Sequence, residues 1–260
     1  MIELIDLTKK YGDHTAVSHV NCKLPTGHVY GLLGLNGAGK STTMNMMTGC
    51  LAPTAGTVRI NGFAMDRDPI RAKRCIGYLP EIPPLYPDMT VAEYLCFVAE
   101  ARGVRGDDVA SQVRQVMELT DVAGKANRLT KLLSKGNAQR VGIASTLLGN
   151  PDIIILDEPT VGLDPVQIIE IRNLVRRLGE TKTVIISSHI LSEVAELCDH
   201  VLILSEGNLI CDSDLDTLLE GGETLEQVFI RLTGAVPEPA PEIPAPAISE
   251  EPTEKEESNE

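Results

Sequence analysis

The feature that most constrains the fold is a glycine-rich segment at residues 34–41, which fits the pattern G-x-x-x-x-G-K-[ST]. It follows an apolar run at 29–33 that predicts a buried strand, and it precedes a segment at 41–48 that predicts a helix. Glycines let backbone N–H groups close around phosphate oxygens, and a helix N-terminus adds partial positive charge. The pattern therefore predicts a phosphate-binding turn for a nucleotide, formed by Gly34, Leu35, Asn36, Gly37, Ala38, Gly39, Lys40 and Ser41.

Four side chains have predicted roles around the phosphates. The Lys40 ammonium is expected on the β- and γ-phosphates, and the Ser41 hydroxyl is expected to ligate Mg²⁺. A second apolar run, at 153–156, ends in Asp157 and Glu158. A carboxylate at the end of a buried strand can hold a magnesium-bound water beside the phosphates, and Asp157 is expected to do so. Glu158 points elsewhere and is expected to polarise the attacking water.

The rest of the chain alternates strand-like and helix-like segments, which predicts an α/β fold around a mostly parallel sheet. Another strand is predicted at 183–186, and Asp164 with the proline after it predicts a helix start. Residues 87–148 show helical patterns and no strand signal, which predicts an inserted helical subdomain. One further helix is expected to bury a face formed by Leu191, Val194, Ala195 and Cys198.

Charge and composition exclude several classes of protein. The net charge is −14 and no basic cluster is evident, which argues against a nucleic-acid partner. Residues 235–260 hold eight Glu, one Lys and six of the 16 prolines, which predicts a disordered tail after a folded domain at 1–234. No apolar run reaches the about 20 residues that cross a bilayer, and residues 1–6 do not resemble a signal peptide. Six scattered cysteines without a CxxC pair predict reduced thiols in a cytosolic protein.

Together with the phosphate turn, five further motifs resemble those of ATP-binding-cassette (ABC) ATPases, in the family's order and at its spacing over residues 1–234. The segment 133–140 resembles the family signature and ends 17 residues before Asp157. The other four are Lys10-Tyr11-Gly12, which resembles the adenine-stacking loop; 76–81, which resembles the Q-loop region; 162–165, which resembles the D-loop; and Ser187-Ser188-His189, which resembles the switch histidine.

The resemblance implies a P-loop NTPase fold of the ABC type, with a parallel core sheet, an antiparallel β subdomain and the helical subdomain. It implies that Tyr11 stacks on adenine and that Val17 and Thr42 also contact the nucleotide. Glu158 would be the general base, and His189 would contact the γ-phosphate. Ser134, Lys135, Gly136, Asn137 and Asp164 would act across a dimer of two cassettes, and Ser41, Glu81 and Asp157 would hold Mg²⁺.

The function implied is Mg-dependent ATP hydrolysis that powers transport through a separate membrane-spanning permease subunit. The similarity is to single-domain subunits of exporters for drugs, polysaccharides and gliding-motility-type systems, whose chains end in a pattern like 225–232. The second cassette is either an identical chain or a related one. The chain is then expected in the cytoplasm, at the inner face of the cell membrane, held there by its membrane partner.

Two motifs depart from the family pattern. Glu81 stands where Gln is usual in the Q-loop, and Lys135 and Asn137 stand where the signature usually has Gly and Gln. Two alternatives stand beside the transporter: a soluble ABC ATPase that works on ribosomes or DNA and transports nothing, and a regulatory nucleotide-binding subunit with little turnover, which Glu81 and Lys135 suggest. The acidic charge and the single cassette speak against the first alternative, and Mg-dependent turnover that is lost on Glu158→Gln would exclude the second.

Overall fold

A computed structural model describes residues 1–234 of the chain. The acidic tail predicted at 235–260 lies outside the described residues. The described chain contains ten strands: β1 (Ile2–Tyr11), β2 (His14–Leu24), β3 (Val29–Gly34), β4 (Ala55–Ile60), β5 (Phe63–Ala64), β6 (Ile76–Leu79), β7 (Ile153–Leu156), β8 (Thr183–Ser187), β9 (His200–Ser205) and β10 (Asn208–Asp214).

Nine α-helices accompany these strands over residues 1–234. None of them is long and apolar enough to cross a membrane. They are α1 (Lys40–Met47), α2 (Pro69–Arg74), α3 (Val91–Ala101), α4 (Gly106–Leu119), α5 (Lys135–Leu147), α6 (Pro165–Gly179), α7 (Leu191–Leu197), α8 (Leu215–Leu219) and α9 (Leu225–Thr233).

The strands form two sheets. The larger sheet has six strands in the order β10-β9-β3-β8-β7-β6, and every pair in it is parallel except β10 with β9. The smaller sheet has the order β2-β1-β4-β5, and all its pairs are antiparallel. The predicted α/β architecture with a mostly parallel core sheet is confirmed. Only the resemblance indicated the antiparallel sheet, because its strands carry irregular apolar patterns.

Alternate residues of the central strands enter two separate apolar cores. Ile154 and Leu156 of β7 pack with helices α3 to α7 and α9 on one face of the large sheet. Ile153 and Ile155 pack on the other face with the antiparallel sheet and with the methionines of α1. A parallel sheet covered on both faces requires strands that are apolar throughout, which explains the uninterrupted run at 153–156.

The segment between β6 and β7 is helical, and its start is defined by a capping box. Thr90 Oγ accepts from the Glu93 N–H, and the Glu93 carboxylate accepts from the Thr90 N–H at 2.8 Å. Helices α3, α4 and α5 then pack against one another around the first core. No strand lies between residues 80 and 152 of the described chain. The limits of a separate subdomain stay a prediction.

One predicted helix face differs from the structure. Ala195 is exposed, and the buried positions of α7 are Glu193, Val194 and Leu197. The apolar pattern was misleading because α7 ends at Leu197, so Cys198 lies beyond the last turn and is buried from an extended conformation. A carboxyl group therefore lies where the sequence predicted only apolar side chains.

Gly77 in β6 provides a test of the packing between the large sheet and α5. A Cβ atom there would lie 2.1 Å from the backbone oxygen of Thr146, and backbone cannot move aside as a side chain can. We expect Gly77→Ala to lower the free energy of unfolding by about 2 kcal/mol or more, as overpacking of a core does. Denaturant unfolding measures this change.

Gly106→Ala is the matched control, because a Cβ atom at Gly106 would meet nothing within 4 Å. Gly106 is the first residue of α4, where alanine is a good helix former, so the control variant should be as stable as the wild type or slightly more stable. Equal stability of Gly77→Ala and the control would contradict the packing described here.

Candidate functional site

The site lies at the edge of the large sheet where four neighbouring parallel strands end. In register, Leu79 pairs with Leu156, Leu156 with Ile186, and Leu32 with Ser187. The segments that follow β6, β7, β8 and β3 therefore emerge side by side. Ligands of open α/β sheets bind at such carboxyl ends. The segments carry Glu81, Asp157 with Glu158, Ser188 with His189, and the glycine-rich turn.

The turn after β3 has a backbone that only glycine adopts readily. Gly37 and Gly39 have φ values of 82° and 102°. A Cβ atom on Gly39 would also lie 2.6 Å from the Ala16 carbonyl oxygen, so the turn is pressed against β2. Gly39 caps α1 without a side-chain hydrogen bond, and the first N–H groups of the helix have no intrahelical acceptor. This arrangement suits a phosphate anion.

Lys40 lies in the middle of this turn. Its ammonium donates to the carbonyl oxygens of Gly34 at 2.7 Å and Leu35 at 3.3 Å. Burial lowers the pKa of Lys40, and the nearby carboxyl groups of Glu158 and Asp157 act in the opposite direction. The structure thus places a buried cation beside the helix N-terminus, where phosphates would replace the carbonyl oxygens as acceptors.

A cleft of about 490 Å³ opens in front of the turn, a size within the range of small-molecule sites. Tyr11 stands at its side with half of its surface exposed, and the Lys9 ammonium lies 5.3 Å from the ring centroid. An exposed ring face of this kind can stack on a base. The predicted residues that line the cleft are Tyr11, Leu35, Asn36, Gly37, Gly39, Lys40, Ser41, Thr42, Glu81, Glu158 and His189.

Glu158 and His189 form a pair at the wall of the cleft. Glu158 Oε2 lies 2.9 Å from His189 Nδ1, and the Glu158 carboxylate is mostly buried while the imidazole is half exposed. Glu158 has a φ of 48°, in the left-handed region that non-glycine residues seldom occupy. Its N–H donates to Ser187 Oγ at 2.8 Å, and this bond helps to hold the unusual conformation.

The oxygen atoms around the cleft fit a magnesium ion. Mg²⁺ prefers carboxylate, hydroxyl and water oxygens. Ser41 and Glu81 line the cleft, whereas Asp157 is buried behind it and accepts a hydrogen bond from Ser187 Oγ. No cluster of three His, Cys, Asp or Glu side chains that could bind a metal alone exists within residues 1–234. An ion here would therefore share its coordination with phosphate and water.

The remaining predicted residues do not line the cleft. Val17 and Ala38 are buried behind the turn, where Val17 packs beside Gly39. The signature segment lies elsewhere, at the start of α5. Ser134 caps this helix and accepts from the Asn137 amide at 2.8 Å.

The signature segment contacts the D-loop of the same chain. A Cβ atom on Gly136 would lie 2.6 Å from the Gln167 side chain, and one on Gly162 would lie 2.2 Å from the Lys135 ammonium. Asp164 caps α6 and accepts from the Gln167 N–H at 2.9 Å. These residues form one surface that does not belong to the cleft of their own chain.

Sequence reasoning missed four residues near the cleft. His14 was expected to be solvated or structural, but it lines the cleft beside Tyr11, as do Ala16 and Val161. Ser187 was included only as part of a motif, yet its hydroxyl links Asp157 with the backbone of Glu158. Strand β8 continues one residue beyond the apolar run and ends at Ser187, a position that a search for polar residues at strand ends would have found.

Fold and site together define a phosphate-binding-loop protein of the α/β class with a carboxylate and a histidine beside the phosphate turn. Comparison with known proteins identifies the family. The family described as "ABC transporter" matches residues 17–161. The bacitracin transport ATP-binding protein BcrA of Bacillus licheniformis is 40% identical over 220 residues, covering 84% of this chain and 71% of that protein.

Solved structures agree with this match. The ATP-binding subunit of an ABC transporter superposes with a TM-score of 0.82 at 29% identity, over 90% of this chain and 99% of that one. A dimeric ATP-binding cassette in a post-hydrolysis state with ADP and Pi has a TM-score of 0.75 at 26% identity, over 83% of this chain and 99% of that one. The chain belongs to the ABC transporter family and has the fold of its ATP-binding subunits.

Lys40→Ala tests the phosphate turn. The substitution removes the buried ammonium that is expected to contact two phosphates. We therefore expect the affinity for ATP to fall about a hundredfold or more. Titration with ATP, followed by calorimetry or by a fluorescent analogue, measures the loss.

Lys23→Ala is the control. Lys23 is an exposed lysine on β2 that pairs with Glu3 at 3.3 Å and does not line the cleft. Wild-type ATP affinity of Lys40→Ala would show that the turn is not the nucleotide site.

Proposed function

We propose that this chain is the ATP-binding and ATP-hydrolysing subunit of an export-type ABC transporter and that it drives a separate membrane-spanning subunit. The observation that carries the proposal is the meeting of three groups in one cleft: the phosphate turn with Lys40, the Glu158 carboxylate, and the His189 imidazole. A binding protein needs the first group only. The second and third suit cleavage of a terminal phosphate.

The turn would bind the triphosphate through backbone N–H groups and the Lys40 ammonium. The ammonium would exchange the carbonyl oxygens of Gly34 and Leu35 for phosphate oxygens. Tyr11 would stack on adenine, and Thr42 at the start of α1 would add a polar contact. Because the turn lies between β3 and α1 and Tyr11 ends β1, these groups are positioned by regular structure, which lowers the cost of ordering them on binding.

Glu158 would act as general base for the attacking water. The pairing of Glu158 Oε2 with His189 Nδ1 at 2.9 Å supports this role, because both groups face the same part of the cleft. When a γ-phosphate enters, the imidazole would turn to contact it and would release Glu158 Oε2 toward the water. Catalytic hydrogen bonds often take their productive form only in the substrate complex.

Magnesium would be held by Ser41 and by water on Asp157, with help from Glu81. When bound, the ion neutralises charge that develops on the phosphate oxygens. Glu81 offers a carboxylate where the family usually has an amide, so it would strengthen the negative field at the ion. Ser187 orients Asp157 through its hydroxyl and keeps one carboxylate oxygen engaged.

The signature surface would complete the cleft of a second cassette. Ser134 and Gly136 lie away from the cleft of their own chain, and a structural relative is described as a dimeric cassette. In a head-to-tail dimer, Ser134, Gly136 and Asn137 would close over the γ-phosphate bound by the partner. Lys135 would add positive charge there, and Asp164 would contact the partner across the two D-loops.

A surface beside the cleft suits the membrane subunit. Ile82 is 81% exposed, and Tyr86 and Phe97 are half exposed with their rings 5.5 Å apart. Ile82 follows Glu81 directly, so movement at the cleft would reach this apolar surface within one residue. We assign the surface to an apolar cytoplasmic segment of the permease, which would place the chain at the inner face of the membrane. Export is supported by the similarity to the export subclass and to the bacitracin transport protein.

Glu158→Gln tests the catalytic assignment. The amide cannot accept a proton from water, so steady-state ATP hydrolysis should fall at least a hundredfold, the scale of a lost general base. ATP binding should persist, and the variant should form a stable dimer in Mg-ATP. Phosphate release and size-exclusion chromatography of the full chain measure both effects.

Glu170→Gln is the control, because Glu170 is a glutamate on α6 that pairs with Arg140 and does not line the cleft. Wild-type turnover by Glu158→Gln would overturn the assignment of the base. Wild-type protein without Mg-dependent turnover, alone or with its membrane partner, would overturn the proposed function and favour the regulatory alternative.

Ile82→Asp tests the permease surface. A charge at this exposed apolar position should lower the fraction of chain that sediments with native membranes about tenfold, since it places an unpaired charge in an interface. Affinity for ATP should not change. Ile70→Asp is the matched control, since Ile70 is 68% exposed on α2 and lies outside both the cleft and this surface. Equal sedimentation of the two variants would contradict the assignment.

A further inference from the structure

A buried carboxyl group lies behind the Glu158–His189 pair. Glu193 belongs to the first turn of α7 and is only 2% exposed. Its Oε2 atom accepts from the hydroxyl of Thr160 at 2.7 Å and lies 3.4 Å from the hydroxyl of Ser188, which also donates to it. All three side chains are buried, so these contacts are shielded from water and are stronger than at the surface.

Both hydroxyls belong to the segments that carry the reacting groups. Thr160 follows Glu158 by two residues, and Ser188 directly precedes His189. One carboxyl oxygen therefore ties the segment after β7 to the segment after β8. Ser188 is held further because its Oγ accepts from the Ile190 N–H at 3.0 Å.

Helix α7 lies so close to β3 that a Cβ atom on Gly31 would be 2.5 Å from Val194 Cγ1, the residue next to Glu193. The Glu193 carboxyl group is thus fixed relative to the strand that leads into the phosphate turn. It joins three of the four strand ends of the site: β3 through the packing of α7, β7 through Thr160, and β8 through Ser188.

Arg172 on α6 supplies the opposite charge. Its Nη2 atom lies 3.4 Å from Glu193 Oε1, and its Nη1 donates to Glu196 at 2.7 Å. Within residues 1–234, Glu193 Oε1 and Arg172 Nε make no hydrogen bond, so the ion pair with Arg172 is the interaction that Oε1 makes. A buried carboxylate is unfavourable unless it is paired, which makes Arg172 the counter-ion of Glu193.

We propose that Glu193 is a positioning residue for ATP hydrolysis. It holds Thr160 and Ser188, and through them it maintains the left-handed backbone of Glu158 and the place of His189. Arg172 keeps the carboxyl group oriented in the interior. The proposal rests on the proposed function, because it assigns Glu193 a role in the same reaction.

Two variants of the full-length chain test the role. Thr160→Val removes the hydroxyl that donates to Glu193 and keeps the shape of the side chain. Glu193→Gln keeps an acceptor but removes the charge that faces Arg172. In both, kcat for Mg-ATP should fall about tenfold to a hundredfold, as small displacements of reacting groups do. KM and Kd for ATP should stay within about twofold, because the phosphate turn is untouched.

The kcat values are compared per functional ATP-binding site, since partial unfolding would also lower the apparent kcat. The number of functional sites is measured as the binding stoichiometry in a titration with a fluorescent ATP analogue. Glu196→Gln is the matched control: it removes the other carboxylate of Arg172, on the same helix but exposed, and it should leave kcat unchanged.

The double variant separates positioning from general weakening. If Glu193 acts through Thr160, Thr160→Val with Glu193→Gln should lose no more activity than the more damaged single variant, whereas independent sites would multiply their losses. In single-turnover measurements on a Glu158→Gln background, Glu193→Gln should lower the rate of ATP hydrolysis little further.

Each possible result either supports or overturns the role of Glu193. Wild-type kcat per site in Glu193→Gln and Thr160→Val, with Glu158→Gln inactive, would overturn the role of Glu193 and leave the proposed function intact. Losses that multiply in the double variant, or a kcat loss equal to that of Glu196→Gln, would also overturn it. Absence of hydrolysis by the wild-type chain would overturn both proposals together.

Discussion

The parallel register of β6, β7, β8 and β3 is the constraint on which the site depends. Because these four strands are neighbours and run in one direction, the residues after them meet at one edge although they are separated by up to about 150 positions in the chain. Both faces of this sheet must be covered for the register to hold. The helices cover one face, and the antiparallel sheet with α1 covers the other.

Charged side chains at this edge act on one another beside the phosphate turn. Burial of the Lys40 ammonium is unfavourable and lowers its pKa, while Glu158 and Asp157 oppose that effect. Ser187 holds both acidic residues, because its hydroxyl accepts from the backbone N–H of Glu158 and donates to the Asp157 carboxylate. Cation, carboxylates and hydroxyl therefore form one connected unit beside the N-terminus of α1.

Much of this unit could be predicted from the sequence because its motifs are local. The eight-residue turn and the two acids after an apolar run can each be recognised from consecutive residues. The α/β fold followed from the alternation of strand-like and helix-like segments, and the family followed from the order of the motifs. The roles of Glu193 and His14 could not be predicted in the same way, because they depend on which strands are neighbours and on where α7 ends. Ala195 was expected on the buried face and is exposed for the same reason.

The claim that this ATPase works on a membrane-spanning partner is tested most directly by isolating the tagged full-length chain from detergent-solubilised native membranes and identifying the associated proteins by mass spectrometry. The account predicts a polytopic membrane protein in stoichiometric amount, together with a second cassette, identical or related. Recovery of the chain in the soluble fraction with ribosomal proteins or nucleic acid would contradict it.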